Sequence, residues 1–255
     1  MTSISNSTKY GFEFLSIFIA VISAFALNNW NENRKNALSE NKILTEIANG
    51  LKKDLVDIKD NIRGHQMGIA SCDYFRDAIM GKNVNSDSFM YYYVTITRDF
   101  INIQNIAGYE TLKSRGLELI KNDSLRLKII TIYEYEYNTL RKLEEEYSEM
   151  QFHENYFKEL NEELAPNFKF SSDGRMNGIR IPLQIQQKNR NKLLVYFWKI
   201  KTNRSFILEF YSQIEAEIKE VIQDIDNEIK VKSKRYTPSP SVLEDSTNIN
   251  SQTEQ

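Results

Sequence analysis

The stretch at residues 12–27, FEFLSIFIAVISAFAL, limits what the rest of this chain can fold into. No later segment matches its density of large apolar side chains. From Tyr10 through Trp30 there are 21 residues, which at ~1.5 Å of rise per helical residue are enough to cross a ~30 Å hydrocarbon layer. The segment predicts a single transmembrane anchor, with a cleaved secretory signal and a buried soluble helix as the alternatives. A signal sequence calls for a basic start, and Lys9 is the only basic side chain ahead of the run, although Ser23-Ala24-Phe25-Ala26 offers a small-x-small arrangement. Tyr10 and Trp30 stand where amphipathic aromatic rings mark the two membrane interfaces. Glu13 lies one turn inside the first boundary. Its carboxyl either reaches the headgroups or is protonated there, or it is an intramembrane acid that pairs with another helix or binds an ion.

Beyond Trp30 no breaker intervenes. Leu44, Ala48, Leu51, Leu55, Ile58 and Ile62 follow a 4, 3, 4, 3, 4 spacing that continues through His65, Ile69 and Cys72, a heptad seam with Lys52, Lys53, Asp57 and Lys59 between its members. A rod running to Ile79 is expected, either continuous or bent near Gly64. Residues 88–100 carry Phe89, Tyr92, Tyr93, Ile96 and Phe100 at helical spacing, although the run of three tyrosines at 91–93 also has strand propensity. A short helix over 109–114 is closed by Gly116, and Asn122-Asp123-Ser124 opens another that ends by Leu164, ahead of Pro166. Residues 165–190 read as an irregular loop, and its Arg175 and Arg180 are candidates for an anion or partner contact beside the bland reading of a solvated loop. A last amphipathic helix spans 192–232, its stripe interrupted by Arg204, which either reaches out of the core or pairs with an acid.

These stripes predict an all-α fold: an N-terminal transmembrane helix continuing into a long amphipathic helix, packed in a membrane-proximal antiparallel bundle. The expected division is a short tail at 1–9, the anchor at 10–30, a helical bundle at 31–235 and a disordered, Ser/Thr-rich tail at 236–255. If the first and last long helices are antiparallel, Lys230, Lys232, Lys234 and Arg235 return toward Arg34 and Lys35 as a basic collar facing anionic headgroups. The ordinary attraction of cations to a helix C-terminus would explain the same residues.

Composition removes several functions. The net charge of −2 gives no footprint for nucleic acid, and Cys72, the one cysteine, excludes an intrachain disulfide and any multi-cysteine metal site. No phosphate loop, nucleophile elbow or zinc-protease motif is present, and the two histidines, His65 and His153, are far apart in sequence. His65 falls on the seam, as a buried or boundary side chain, and Cys72 reads as a structural thiol. No cofactor and no metal are expected, and no catalytic residue stands out.

The junction Ala26-Leu27-Asn28-Asn29-Trp30-Asn31-Glu32-Asn33-Arg34-Lys35 resembles a family of small bacterial single-pass membrane proteins of unknown function. Its members show a glutamate, an apolar helix ending in a similar A-L-x-x-N-N-W-N-E signature, and then a long charged helix. Glu13 aligns with that acid, and Gly108-Tyr109-Glu110-Thr111-Leu112-Lys113-Ser114-Arg115-Gly116 resembles a second family block, which makes Tyr109, Leu112 and Gly116 a candidate interaction segment. The resemblance covers roughly residues 10–150 and implies a bacterial inner-membrane protein with a periplasmic domain. Arg34, Lys35 and Lys42 after the anchor, against Lys9 before it, point to the cytoplasmic side instead. The functional expectation is a non-enzymatic, membrane-anchored scaffold or sensor that touches lipid and works through a protein partner or self-association. The alternative is an oligomeric channel-like or stator-like component using Glu13.

Overall fold

The computed structural model describes residues 6–236, with side chains from Tyr10 to Lys232. The expected disordered tail, apart from Tyr236, and residues 1–5 lie outside the described residues. The described chain is mostly helical and is carried by two long helices. Helix α1, Asn6–Ile79, runs without interruption through the apolar stretch, the Asn28-Asn29-Trp30 junction and Gly64. The last helix, Gln187–Tyr236, extends past both ends of its expected span and lies antiparallel to α1. Lys201 Nζ meets Asp73 at 2.8 Å, Lys52 Nζ meets Asp226 at 3.8 Å and Lys232 Nζ meets Glu40 at 2.6 Å.

The buried face of α1 follows from its heptad repeat. Leu44, Leu51, Ile58, His65, Cys72 and Ile79 form one buried column at seven-residue spacing. Glu40, Ile47, Asp54, Asn61, Gly68 and Phe75 form a second, equally buried. Seven residues bring a helix back to nearly the same face, drifting by only ~20°. Of the expected seam, Leu55, Ile62 and Ile69 are half-buried, because the true face is turned toward the second column.

Between the long helices, a 3₁₀ turn at Ser86–Ser88 leads into α2, Phe89–Ile96. A strap without regular secondary structure follows over residues 97–106, then α3, Ala107–Arg115, capped by Gly116 at φ +96°. Helix α4, Asp123–Ile130, begins as its sequence predicts: the Asn122 side chain accepts a hydrogen bond from the Leu125 N–H. Residues 88–100 are thus helical only to Ile96, and Phe100 lies in the strap.

Two expectations need correction. The helix opened by Asn122 does not run to Leu164. Wide turns at Thr131–Glu136 and Lys142–Glu146 flank α5, Tyr137–Arg141, and the helix then breaks at Tyr147, whose ψ of 110° is extended. The chain re-enters helix at α6, Lys158–Leu164, after a third wide turn at His153–Phe157. The break is satisfied by side chains, with Gln151 Nε2 donating to the Glu144 carbonyl and Asn155 Nδ2 to the Ser148 carbonyl. Nor is the segment at 165–190 wholly irregular. Residues 165–190 hold an antiparallel hairpin of β1, Phe168–Phe170, and β2, Met176–Ile179, with Phe168 opposite Ile179. The tight turn between them forms around Asp173-Gly174, with Gly174 N–H donating to the Ser171 carbonyl at 3.0 Å. With α1 to α6 so placed, the Gln187–Tyr236 helix is α7.

Two apolar cores result. The first joins Leu44, Leu51 and Ile58 of α1 to Tyr109, Leu112, Ile129 and Tyr137, and to α7 from Ile207 to Ile225. The second joins Phe75 and Ile79 to Phe89, Phe152, Leu160, Ile179 and Phe197. Full burial of each Leu, Ile or Phe contributes roughly 1.5–3 kcal/mol. The Tyr147 break lies where the chain passes between the cores, with Met150 packed on the first and Phe152 inside the second.

Candidate functional site: the polar layer between the two cores

Where one apolar core gives way to the other, α1 presents Gly64, His65 and Gly68, and α7 presents Arg204. The glycines are there for close approach. A Cβ on Gly64 would stand 2.2 Å from the Phe100 ring, and one on Gly68 would stand 2.6 Å from the Arg204 guanidinium carbon. Arg204 therefore lies flat against the backbone of α1. It neither reaches out of the core nor hydrogen-bonds an acid. Its Nη2 donates to the carbonyls of Ile96 and Arg98 at 3.3 and 3.0 Å, closing the end of α2, and its Nη1 faces His65 Nδ1 at 3.5 Å. The guanidinium carbon is 5.6 Å from the centre of the Phe100 ring. Burial lowers the Arg204 pKa. Burial, and then the neighbouring Arg204 charge, push His65 down to about 3, so its imidazole is neutral. Since Arg204 can only donate, His65 Nδ1 is the acceptor and Nε2 carries the proton. Burial raises the Cys72 thiol to about 12, in keeping with a structural role.

Beside this layer the strap is held by carboxylates, two on α1 and one in the wide turn at Lys142–Glu146. Asp57 Oδ2 accepts from Asn61 Nδ2 at 3.0 Å, Asn102 Nδ2 at 2.7 Å and the Ile103 N–H at 3.0 Å. Asp54 accepts from the Asn105 N–H at 2.9 Å and from the Tyr137 hydroxyl at 2.7 Å. Glu144 accepts from the Asn102 N–H at 3.1 Å and from the Tyr211 hydroxyl. A segment without regular secondary structure has no ladder of its own, and these three acids supply the acceptors its N–H groups need. Burial raises Glu144 to about 7, with Glu145 and Asp57 adding repulsion against the pull of its two donors. Asp54 is likewise raised by burial.

A cavity of about 260 Å³ opens at the layer. Its lining combines His65, Asp99, Glu144, Glu145 and Arg204 with Gln151, Asn203 and the rings of Phe100, Phe152 and Tyr156. Among the described residues, no cluster of three or more His, Cys, Asp or Glu side chains is placed to hold a metal ion.

The residues singled out from the sequence lie elsewhere. Every described residue from Tyr10 to Asn36 is exposed, Glu13 and Asn29 among them. Asn28 Nδ2 donates to Glu32 at 3.4 Å, and the Arg34 guanidinium lies 5.8 Å from the Trp30 ring centre. Lys35 and Lys230 are exposed, whereas Lys232 is half-buried between Glu40 and Glu228 at 2.6 and 3.0 Å. The antiparallel return is therefore real, but the Lys232 charge is already neutralised within the fold. The side chains of Lys234 and Arg235 lie outside the described residues. Tyr109 and Leu112 are core residues, Tyr109 stacked on Tyr133 at 4.5 Å, so of the three candidates in that segment Gly116 alone is exposed, beside the exposed Glu110 and Lys113-Ser114-Arg115. Arg175 and Arg180 are exposed at the hairpin, Arg175 paired with Asp173 at 3.2 Å, and belong to the other core's end of the molecule.

Among the described residues the chain is thus mostly helical, with one helix long and apolar enough to cross a membrane and none of its apolar stretch buried against another described residue. It belongs to the family described as "Family of unknown function (DUF6090)", whose profile matches residues 13–172. No curated protein and no solved structure matches the chain. The matched range holds Glu13, the strap and all three of its carboxylates, and leaves Arg204 and α7 outside.

Proposed function

We propose that this chain is a membrane-anchored helical sensor or scaffold, non-enzymatic, acting through a protein partner or through self-association. The observation that carries the reading is that the apolar residues 12–27 are all exposed, while the same helix, from Glu40 onward, is buried in a folded domain. A soluble protein rarely leaves so large an apolar surface uncovered. A bilayer covers it without further protein, and an uninterrupted α1 joins that segment to the domain mechanically. The polar groups of the central layer support a non-enzymatic reading, since most of them already hold backbone in place. We place the protein in a bacterial inner membrane with its domain on the periplasmic side, on the family resemblance. The channel-like alternative has one support: Glu13 stands in the exposed apolar segment with no salt-bridge partner among the described residues.

The test is to express the full chain, extract membranes with alkaline carbonate, then crosslink and size the detergent-solubilised protein. Retention in the membrane and a crosslinked assembly or co-purifying partner are expected. Release into the soluble fraction would remove the anchor, and a strict monomer without a partner would remove the scaffold reading.

A further inference from the structure

The central cavity has an imbalance of charge. Its three acidic side chains, Asp99, Glu144 and Glu145, face one cation, Arg204, whose two terminal nitrogens are already engaged by the Ile96 and Arg98 carbonyls and by His65, and a cation placed beside Glu144 would favour its ionised form. Asp99 acts on that charge electrostatically and has an exposed contact of 3.5 Å with His153. Neither Glu144 nor Glu145 has a Lys or Arg partner among the described residues, although salt bridges are common elsewhere on this surface. Phe152 and Tyr156, both buried, wall the same space. Carboxylates beside aromatic faces are the chemistry that holds an ammonium group, through charge and through the negative ring face. Independently of the acids, His65 lines the cavity at 7% exposure, and its Nε2, the protonated nitrogen, has no hydrogen-bond partner. A buried donor left alone costs free energy and calls for an acceptor.

We infer that this cavity binds a small organic amine with an apolar or aromatic body and an oxygen acceptor. The ammonium lies against Glu144 and Glu145, the body lies between Phe152 and Tyr156, and the oxygen accepts from His65. Arg204 is a positioning residue, fixing the His65 tautomer and the end of α2. The inference rests on the sensor reading and names the class of molecule sensed.

Three probes with one body and different charges test it: tyramine, its neutral analogue tyrosol, and the anion 4-hydroxyphenylacetate. Binding is measured by ligand-observed NMR and calorimetry on the full chain in detergent micelles, with empty micelles as the blank. Tyramine is expected to bind at least about tenfold more tightly than tyrosol, a preference of ~1.4 kcal/mol, and the anion least. Glu145→Gln, an exposed change that leaves the fold intact, should remove most of that preference, and Phe152→Leu should weaken all neutral and cationic binding. Equal affinity for tyramine and tyrosol, tighter binding of the anion, an unchanged preference in Glu145→Gln, or no binding of any probe would each overturn the inference. None of these outcomes bears on carbonate extraction or crosslinking, so the two readings fail separately.

Discussion

Replacing Glu144 with Gln should change how stability depends on pH, and the structure sets the size of the change. Burial holds the Glu144 carboxyl near pH 7 in the folded chain, against an ordinary value of 4.5. Between those values the folded state keeps a proton that the unfolded chain has released, so stability falls as pH rises through the window. At about 1.4 kcal/mol per pH unit over roughly 2.5 units, the loss is about 3 kcal/mol above pH 7. His65 acts in the opposite sense. Its folded value near 3 lies below the ordinary 6.5, so its contribution is complete above pH 6.5 and is lost as pH falls toward 3. Between pH 4.5 and 6.5 the two slopes cancel, and Glu144→Gln exposes the one from His65. Unfolding free energies from urea titrations of wild type and variant in matched micelles, from pH 4 to pH 8, make the measurement. The difference between the proteins should move in favour of the variant by about 3 kcal/mol as pH rises from 4.5 to 7, and be flat beyond. Asp54 and Glu136, also raised by burial, are present in both proteins and drop out of the difference. A difference that does not vary with pH, or that grows on acidification, would refute the argument.

Two further substitutions test the layer and the end of the bundle nearest the apolar span. Gly64→Ala drives a methyl group into the Phe100 ring and should cost about 1–3 kcal/mol in urea denaturation, with part returned by Phe100→Leu in the same chain. Glu40→Gln strips the carboxylate charge from beneath the half-buried Lys232 while leaving an acceptor for the Lys121 N–H. Glu228 still faces Lys232 at 3.0 Å, so the loss should be that of one charge-assisted contact, about 2 kcal/mol, and Lys232→Met should restore much of it.

The residues themselves show what the sequence could and could not announce. The Asn122 cap and the Gly116 stop were written in local pattern, because each depends on near neighbours, whereas the unbroken course of α1 past Gly64 and the antiparallel return of α7 depend on distant packing that the sequence left open. The second buried column of α1 was equally periodic, yet Glu40, Asp54 and Asn61 disguised it. A polar side chain on a helix is ordinarily solvated, and only distant partners make burial favourable: Lys232 for Glu40, the Tyr137 hydroxyl for Asp54 and the Ile101 carbonyl of the strap for Asn61. The seven-residue recurrence through Ile47 and Phe75 was the signal that would have found it. Gly64 and Gly68 read as weak points in a helix, and their purpose appears only once Phe100 and Arg204 are seen against them. The hairpin was hidden because strands of three and four residues are too short for a period of two to stand out from the polar loop around them.

The unbroken course of α1 has a rotational consequence. Residues 31–36 are exposed helix, with neither apolar span nor core to hold them. Each residue there adds ~1.5 Å of height and, at 3.6 residues per turn, ~100° of azimuth. The count of residues in this neck therefore sets the compass bearing of the cavity mouth relative to the face of the apolar span carrying Glu13. One inserted residue would swing the domain by more than a quarter turn at almost constant height, while seven would lift it ~10 Å and return it nearly to its original heading. The neck works as a phase-setting element: its length in residues, more than its side chains, decides which way the domain looks.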